Sequence, residues 1–213
     1  MSEPQTVVHL VRHGEVHNPT KVLYGRLPGF RLSDRGVEQA VVTAKYLAGR
    51  DVTVLLSSPL ERARQTAEPF AEVFGLEAGI DPRLIESANQ FEGGVVEPGP
   101  GILRHPAHWS KLRNPFKPSW GEPYEEVAAR VLAAVADARE QARGHEAVLV
   151  SHQLPVFVTR RKAEGRQLWH RPDRRQCALA SVTSLVYEGD DLAYVRYCEP
   201  NGPGNTKQGS VGA

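Results

Sequence analysis

Residues 6–15 read Thr-Val-Val-His-Leu-Val-Arg-His-Gly-Glu, a nearly continuous apolar, β-prone run that ends in two charged residues, a histidine and a glycine. Unbroken rather than alternating apolarity suits a strand covered on both faces, as in a parallel sheet. Val-Thr-Val-Leu-Leu at 52–56 and Ala-Val-Leu-Val at 147–150 look alike. Helical patterns lie between these runs. Val37, Ala40, Val41, Ala44, Leu47 and Ala48 keep 3.6-residue spacing, with Ser33 placed as N-cap and Gly49 just past the end. Leu60, Ala63, Ala67, Phe70, Ala71 and Phe74 form a second pattern. Ser58-Pro59-Leu60-Glu61 is expected to open it as N-cap, first-turn proline and capping-box glutamate, and Pro69 to kink or shorten it. A third pattern, through Val127, Val131, Leu132 and Val135, starts near Pro123 and stops at Gly144; a fourth helix follows His152. Residues 182–187 and 193–197, on either side of Gly189-Asp190-Asp191, predict a closing hairpin. Alternating strand and helix predicts an α/β fold, a three-layer α/β/α sandwich with a mostly parallel central sheet.

The whole chain sets the bounds. At 213 residues, a prior of about 150 residues per domain allows one domain or two small ones. A single domain over 1–198 with a flexible tail over 199–213 is the expectation. The composition, 40% hydrophobic and 24% charged, argues against wholesale disorder. With 26 Lys and Arg against 25 Asp and Glu, the net charge of +1 does not suggest a nucleic-acid binder. No apolar run approaches membrane-spanning length, and Met-Ser-Glu-Pro-Gln leads directly into the first strand without a signal-peptide pattern. Cys177 and Cys198 lack metal-ligand spacing and read as reduced thiols of a cytoplasmic protein. Residues 91–121 interrupt the rhythm with many Gly and Pro residues and with Arg104, His105, His108, Lys111, Arg113 and Lys117. An insertion of that length reads as a lid or a substrate-specificity segment.

In open α/β sheets, ligands sit beyond the carboxyl ends of the strands. There the first strand ends in Arg12-His13-Gly14-Glu15, the second in Ser57-Ser58-Pro59 with Arg62 just inside the next helix, and the third in Ser151-His152. Two histidines, two arginines and helix N-termini at one sheet edge are what a phosphate dianion needs.

The segments LVRHGEVHNP, SSPLERARQTAE, LIES and VSHQ, in this order, resemble the histidine phosphatase superfamily, which includes the cofactor-dependent phosphoglycerate mutases; the likeness covers about residues 6–198. The resemblance implies a phosphoglycerate mutase-like fold and makes His13 the nucleophile that becomes phosphohistidine. Arg12 and Arg62 match the phosphate-binding arginines, and His152 matches a second, charged histidine that donates to the same oxygens. Glu86 fits the general acid best, with Glu92 as its rival. Asn18 is expected to contact the phosphoryl group, and Gln153, where relatives commonly carry Gly, to offer a backbone N–H. Val16 also departs from the Ser or Thr that many relatives carry. Glu15 is read as orienting His152 or an arginine, and His17 as a surface residue.

The resulting expectation is a phosphatase of small phosphomonoesters, with no cofactor and no metal. A mutase-type phosphotransferase is the alternative; a nonenzymatic phospho-ligand or nucleic-acid binder is a remote one. The expected partner is a small phosphorylated metabolite rather than nucleic acid or membrane, with a homodimer left open. Residues 160–175 hold seven Lys or Arg beside Trp169 and His170, and read as a solvated loop or as contacts to a second anionic group of the substrate.

Overall fold

A computed structural model describes residues 4–89, 92–94, 121–171 and 174–203. Its spine is β1 (Gln5–Arg12), in which every residue after Gln5 is buried. Around it stand β2 (Val52–Ser57), β3 (Gly79–Ile80), β4 (Glu146–Ser151), β5 (Val182–Glu188) and β6 (Asp191–Cys198). The strand order is β3-β2-β4-β1-β5-β6. Pairings β3–β2, β2–β4 and β4–β1 are parallel, whereas β1–β5 and β5–β6 are antiparallel. The mostly parallel sheet is therefore as expected, with the terminal hairpin forming its antiparallel edge. Strand β3 has only two residues and no apolar run, so nothing in the sequence marks it.

Four helices cover the sheet among the described residues: α1 (Asp34–Leu47), α2 (Glu61–Phe74), α3 (Tyr124–Gln141) and α4 (Gln153–Ala163). The strand alternation sorts them into two layers. Val8, Leu10, Ala147, Leu149 and Leu185 pack with Val131, Val135 and Phe157 of α3 and α4. Val11, Val148, Val150 and Val182 pack with Ala44 and Leu47 of α1 and with Ala63, Ala67 and Phe70 of α2. Each fully buried Val, Leu or Phe contributes about 1.5–3 kcal/mol relative to exposure.

Ser33 caps α1 as expected, accepting from Gly36 N–H at 3.1 Å. Two helix-boundary expectations are corrected. Helix α2 starts at Glu61 with Leu60, whose side chain cannot cap, as its N-cap; Ser58 lies before it, its Oγ accepting from Leu60 N–H at 3.4 Å and meeting His152 Nε2 at 2.7 Å. The same helix also runs through Pro69 to Phe74. Its buried face, Ala63, Ala67 and Phe70, holds it together on both sides of the proline. The carbonyl that Pro69 leaves without its helical donor belongs to Gln65, a partly exposed residue. The helix ends instead at Gly75, left-handed at φ +64°, whose N–H returns to the Ala71 carbonyl.

Most of the insertion 91–121 lies outside the described residues, with the basic residues at 104–117, as does the tail from 204 onward. The two ends of the insertion are tied together. Asn89 and Gly121 form an antiparallel bridge, and Glu122 N–H donates to the Ala88 carbonyl at 3.1 Å.

The exit of β1 and the first turn of α1 touch backbone to backbone. A Cβ on Gly36 would fall onto the Glu15 carbonyl, and one on Gly14 onto the Gly36 carbonyl, both far inside contact distance. Gly36→Ala should therefore cost roughly 1–3 kcal/mol of stability. The expected readout is a lower urea midpoint with an unchanged denaturant slope. An unchanged midpoint would show that this approach is not tight in solution.

Candidate active site

The parallel register sets Arg12 opposite Ser151 and Ser57 opposite Val150, so three strands deliver their last residues to one place. The chain then continues along the same ladder. His13 N–H donates to the Ser151 carbonyl at 3.0 Å, and Ser58 N–H to the Val150 carbonyl at 2.9 Å.

His13 is fully buried. Its Nδ1 lies 2.8 Å from the Gly14 carbonyl. A carbonyl only accepts, so the proton sits on Nδ1 and Nε2 keeps its lone pair. That Nε2 is buried and has no hydrogen-bond partner among the described residues. Burial, and then the guanidinium groups of Arg62 and Arg12, hold the ring well below its ordinary pKa of 6.5. The result is a neutral imidazole with a bare nitrogen.

Three donors share that condition. Arg12 spends Nη1 on the Cys177 carbonyl at 2.7 Å, while Nε and Nη2 are buried and unpartnered among the described residues. Arg62 spends Nη2 on the Gly25 carbonyl at 2.6 Å and lies over the Tyr24 ring at 4.7 Å; its Nε is unpartnered in the same sense. His152, the N-cap residue of α4, meets Ser58 Oγ through Nε2 and leaves Nδ1 unpartnered. The two histidine rings are 5.2 Å apart. The expectation for His152 is a charged ring; burial, then Arg62, His13 and Arg12, push its pKa well below 6.5, against that charge.

Glu86 joins them from the short turn after the 3-10 helix Pro82–Leu84. It is buried, with Oε1 accepting from Ser87 N–H at 2.8 Å and Oε2 unpartnered among the described residues. Burial raises its pKa, against the pull of the Ser87 N–H, Arg62, Arg175 and Arg12. Its rival Glu92 is only half-buried and accepts from Asn89 N–H at 3.2 Å.

The other sequence candidates make contacts of their own. Asn18 closes its own loop, donating to the Val22 carbonyl at 2.8 Å and accepting from Val22 N–H at 3.1 Å. Gln153 is buried on the first turn of α4 and accepts from Arg175 at 3.5 Å. Glu15 bonds neither His152 nor Arg12 or Arg62; it accepts from Ser33 Oγ at 2.9 Å and pairs with Arg35 at 3.8 Å. It anchors the start of α1, and its nearness in sequence to His13 misled. His17 is exposed.

Several supporting residues were not foreseen. Thr66 donates to the Arg62 carbonyl at 2.7 Å and accepts from Gly14 N–H at 3.1 Å, tying the two walls together. Its place four residues after Arg62 on a helix could have flagged it. Arg26 donates to the Glu86 carbonyl at 2.7 Å, and Arg130 reaches the same oxygen at 3.4 Å. Glu122 binds both guanidinium groups, each at 2.8 Å. No local motif announces this brace. Among the described residues, no group of three or more His, Cys, Asp or Glu stands together as a metal site, and no helix is long and apolar enough to cross a membrane.

The chain matches the model of the histidine phosphatase superfamily (branch 1) over residues 8–200. An uncharacterised protein of Mycobacterium tuberculosis is 58% identical over 196 residues, spanning 92% of this chain and 97% of that one. A probable phosphoglycerate mutase of Escherichia fergusonii is 30% identical over 184 residues, 82% of this chain and 83% of its own. Among solved structures, the mycobacterial glucosyl-3-phosphoglycerate phosphatase superposes with a TM-score of 0.71 at 26% identity, covering 91% of this chain and 96% of that one.

Burying His13 and His152 neutral has a measurable consequence. Below the ordinary value of 6.5 the unfolded chain takes up protons that the folded chain refuses. Stability should therefore fall with pH, by up to about 1.4 kcal/mol per pH unit for each such histidine. Glu86, raised by burial, acts in the opposite sense over the range from its raised value down to 4.5. Urea unfolding from about pH 6.5 to about pH 5.5 should show the fall, and His13→Asn should remove one histidine's share of the slope. An identical slope in that variant would mean that His13 titrates normally when folded.

Proposed function

The chain belongs to the histidine phosphatase superfamily, and on that premise we propose that it is a metal-independent phosphatase of small phosphomonoesters working through a phosphohistidine at His13. The observation that carries this reading is a set of buried groups at one sheet end without a hydrogen-bond partner among the described residues: His13 Nε2, Nε and Nη2 of Arg12, Nε of Arg62 and His152 Nδ1, with the two histidine rings 5.2 Å apart. These donors suit the equatorial oxygens of a phosphoryl group in transfer and supply positive charge without a metal.

In this mechanism Nε2 attacks phosphorus, the bond from phosphorus to the ester oxygen breaks, and Glu86 gives its proton to the departing alkoxide. The Gly14 carbonyl keeps the Nδ1 proton and steadies the phosphorylated ring. Glu86, now a carboxylate, takes a proton from water, and that water attacks phosphorus. The P–N bond breaks, its electron pair returns to Nε2, and phosphate leaves. His152 contributes without a resident charge: a Ser58 hydroxyl donating to Nε2 leaves the proton on Nδ1, where it meets a phosphoryl oxygen. The resemblance of the fold to a phosphatase supports water as acceptor. The relatives named probable phosphoglycerate mutases support the alternative, transfer to another hydroxyl of the substrate.

Rapid quenching with labelled aryl phosphate should trap an acid-labile, base-stable label on His13. His13→Ala should fold and lose turnover by on the order of 10³-fold or more. Chelator should leave the wild-type rate unchanged. Phosphate release outrunning isomer formation identifies a phosphatase, and the reverse a mutase. Full activity in His13→Ala would sink the mechanism.

Glu86→Gln cannot donate a proton, so its loss should be greatest where the leaving alkoxide is poorest. Alkyl phosphate hydrolysis should fall far more than phosphorylation by an aryl phosphate. Dephosphorylation also needs the carboxylate, so the variant should release aryl product in a burst and accumulate phosphoenzyme. Equal losses on both substrates without accumulation would exclude Glu86, and the same pattern in Glu92→Gln would transfer the role.

A further inference from the structure

Arg175 lines the cleft that leads to Glu86, together with Gly25, Tyr124 and Leu154. The mechanism above gives it no task. Its guanidinium is held from behind, with Nε donating to His170 Nε2 at 2.9 Å and Nη1 to Gln153 Oε1 at 3.5 Å. The remaining N–H groups have no partner among the described residues.

His170 is built to hold that arginine. Its Nδ1 lies 2.7 Å from the Leu168 carbonyl, so the proton sits there and Nε2 is an acceptor facing Arg175. The ring is wedged between Tyr124, stacked at 5.1 Å, and Phe157, edge-on at 4.6 Å. The neighbouring cations differ. Arg26 and Arg130 are neutralised by Glu122, whereas no carboxylate among the described residues bonds Arg175. A guanidinium anchored on one side and turned to a cleft on the other matches a planar carboxylate. A second phosphate dianion would call for more than one such cation.

We propose that Arg175 binds a carboxylate carried by the alcohol portion of the substrate, and that His170 is the positioning residue that aims it. This rests on the phosphatase reading above.

The test compares kcat and KM for 3-phosphoglycerate and glycerol 3-phosphate, which differ by a carboxylate against a hydroxymethyl group. The wild type should favour the carboxylate by about tenfold or more in kcat/KM, chiefly through KM. Arg175→Gln and His170→Phe should each pull that ratio toward one, and Arg175→Lys should restore part of it. His170→Phe keeps the aromatic stack and lacks the acceptor, so it serves if Arg175→Gln does not fold. A wild type without preference, or a ratio unmoved in both variants, overturns the subsite while hydrolysis of both esters leaves the phosphatase reading standing. A wild type that turns over neither ester nor aryl phosphate overturns that reading, and this inference with it.

Discussion

Two guanidinium groups and two imidazoles are packed out of water at the end of a parallel sheet, and the surrounding structure answers the electrostatic cost of that concentration. Burial penalises a charge by several kcal/mol unless hydrogen bonds replace its hydration. Arg12 recovers part through the Cys177 carbonyl, and Arg62 through the Gly25 carbonyl and the face of Tyr24. The histidines meet the cost differently, through burial that lowers both pKa values and favours the uncharged ring. What the protein leaves unanswered is a set of buried N–H groups on Arg12 and Arg62 at the same sheet end. Buried unsatisfied donors are rare in folded proteins and point to a site where stability is given up for binding.

Rigidity follows from the same constraint. His13 stands one residue past the end of β1, yet its N–H and carbonyl still bond to Ser151 and Ala180. Gly14 is fixed from two directions, by Thr66 on α2 and by the close approach of Gly36 on α1. Glu86 sits on a turn rather than on a strand, and is held by Arg26 and Arg130 through its main-chain oxygen. The brace acts on backbone, so the carboxyl group itself is left for chemistry.

Much of this was legible in the sequence. The unbroken apolar runs that became β1 and β4 reported burial on both faces, and their terminal residues fell where the topology rule puts a ligand. The Arg12-His13-Gly14 tripeptide carried enough local chemistry to fix the tautomer as well. Legibility failed where a residue's partner lies far along the chain. Ser58 reads as a helix cap because the sequence does not show that His152, 94 residues later, engages its hydroxyl. Glu15 reads as an orienting residue by proximity, and only the fold turns it toward Ser33. Glu122, Arg26 and Arg130 are ordinary surface residues in any local window. Pro69 read as a break because local propensity omits the apolar face that keeps α2 intact.

The bridge between Asn89 and Gly121 separates architecture from appetite. Chain departing at one residue and returning beside it can lengthen or shorten without moving either anchor, and closure entropy grows only slowly with length. Glu122, which braces Glu86 through the two arginines, follows directly after the return point. A lineage can therefore rewrite that stretch while Glu86, His13, Arg12 and Arg62 remain a fixed chassis.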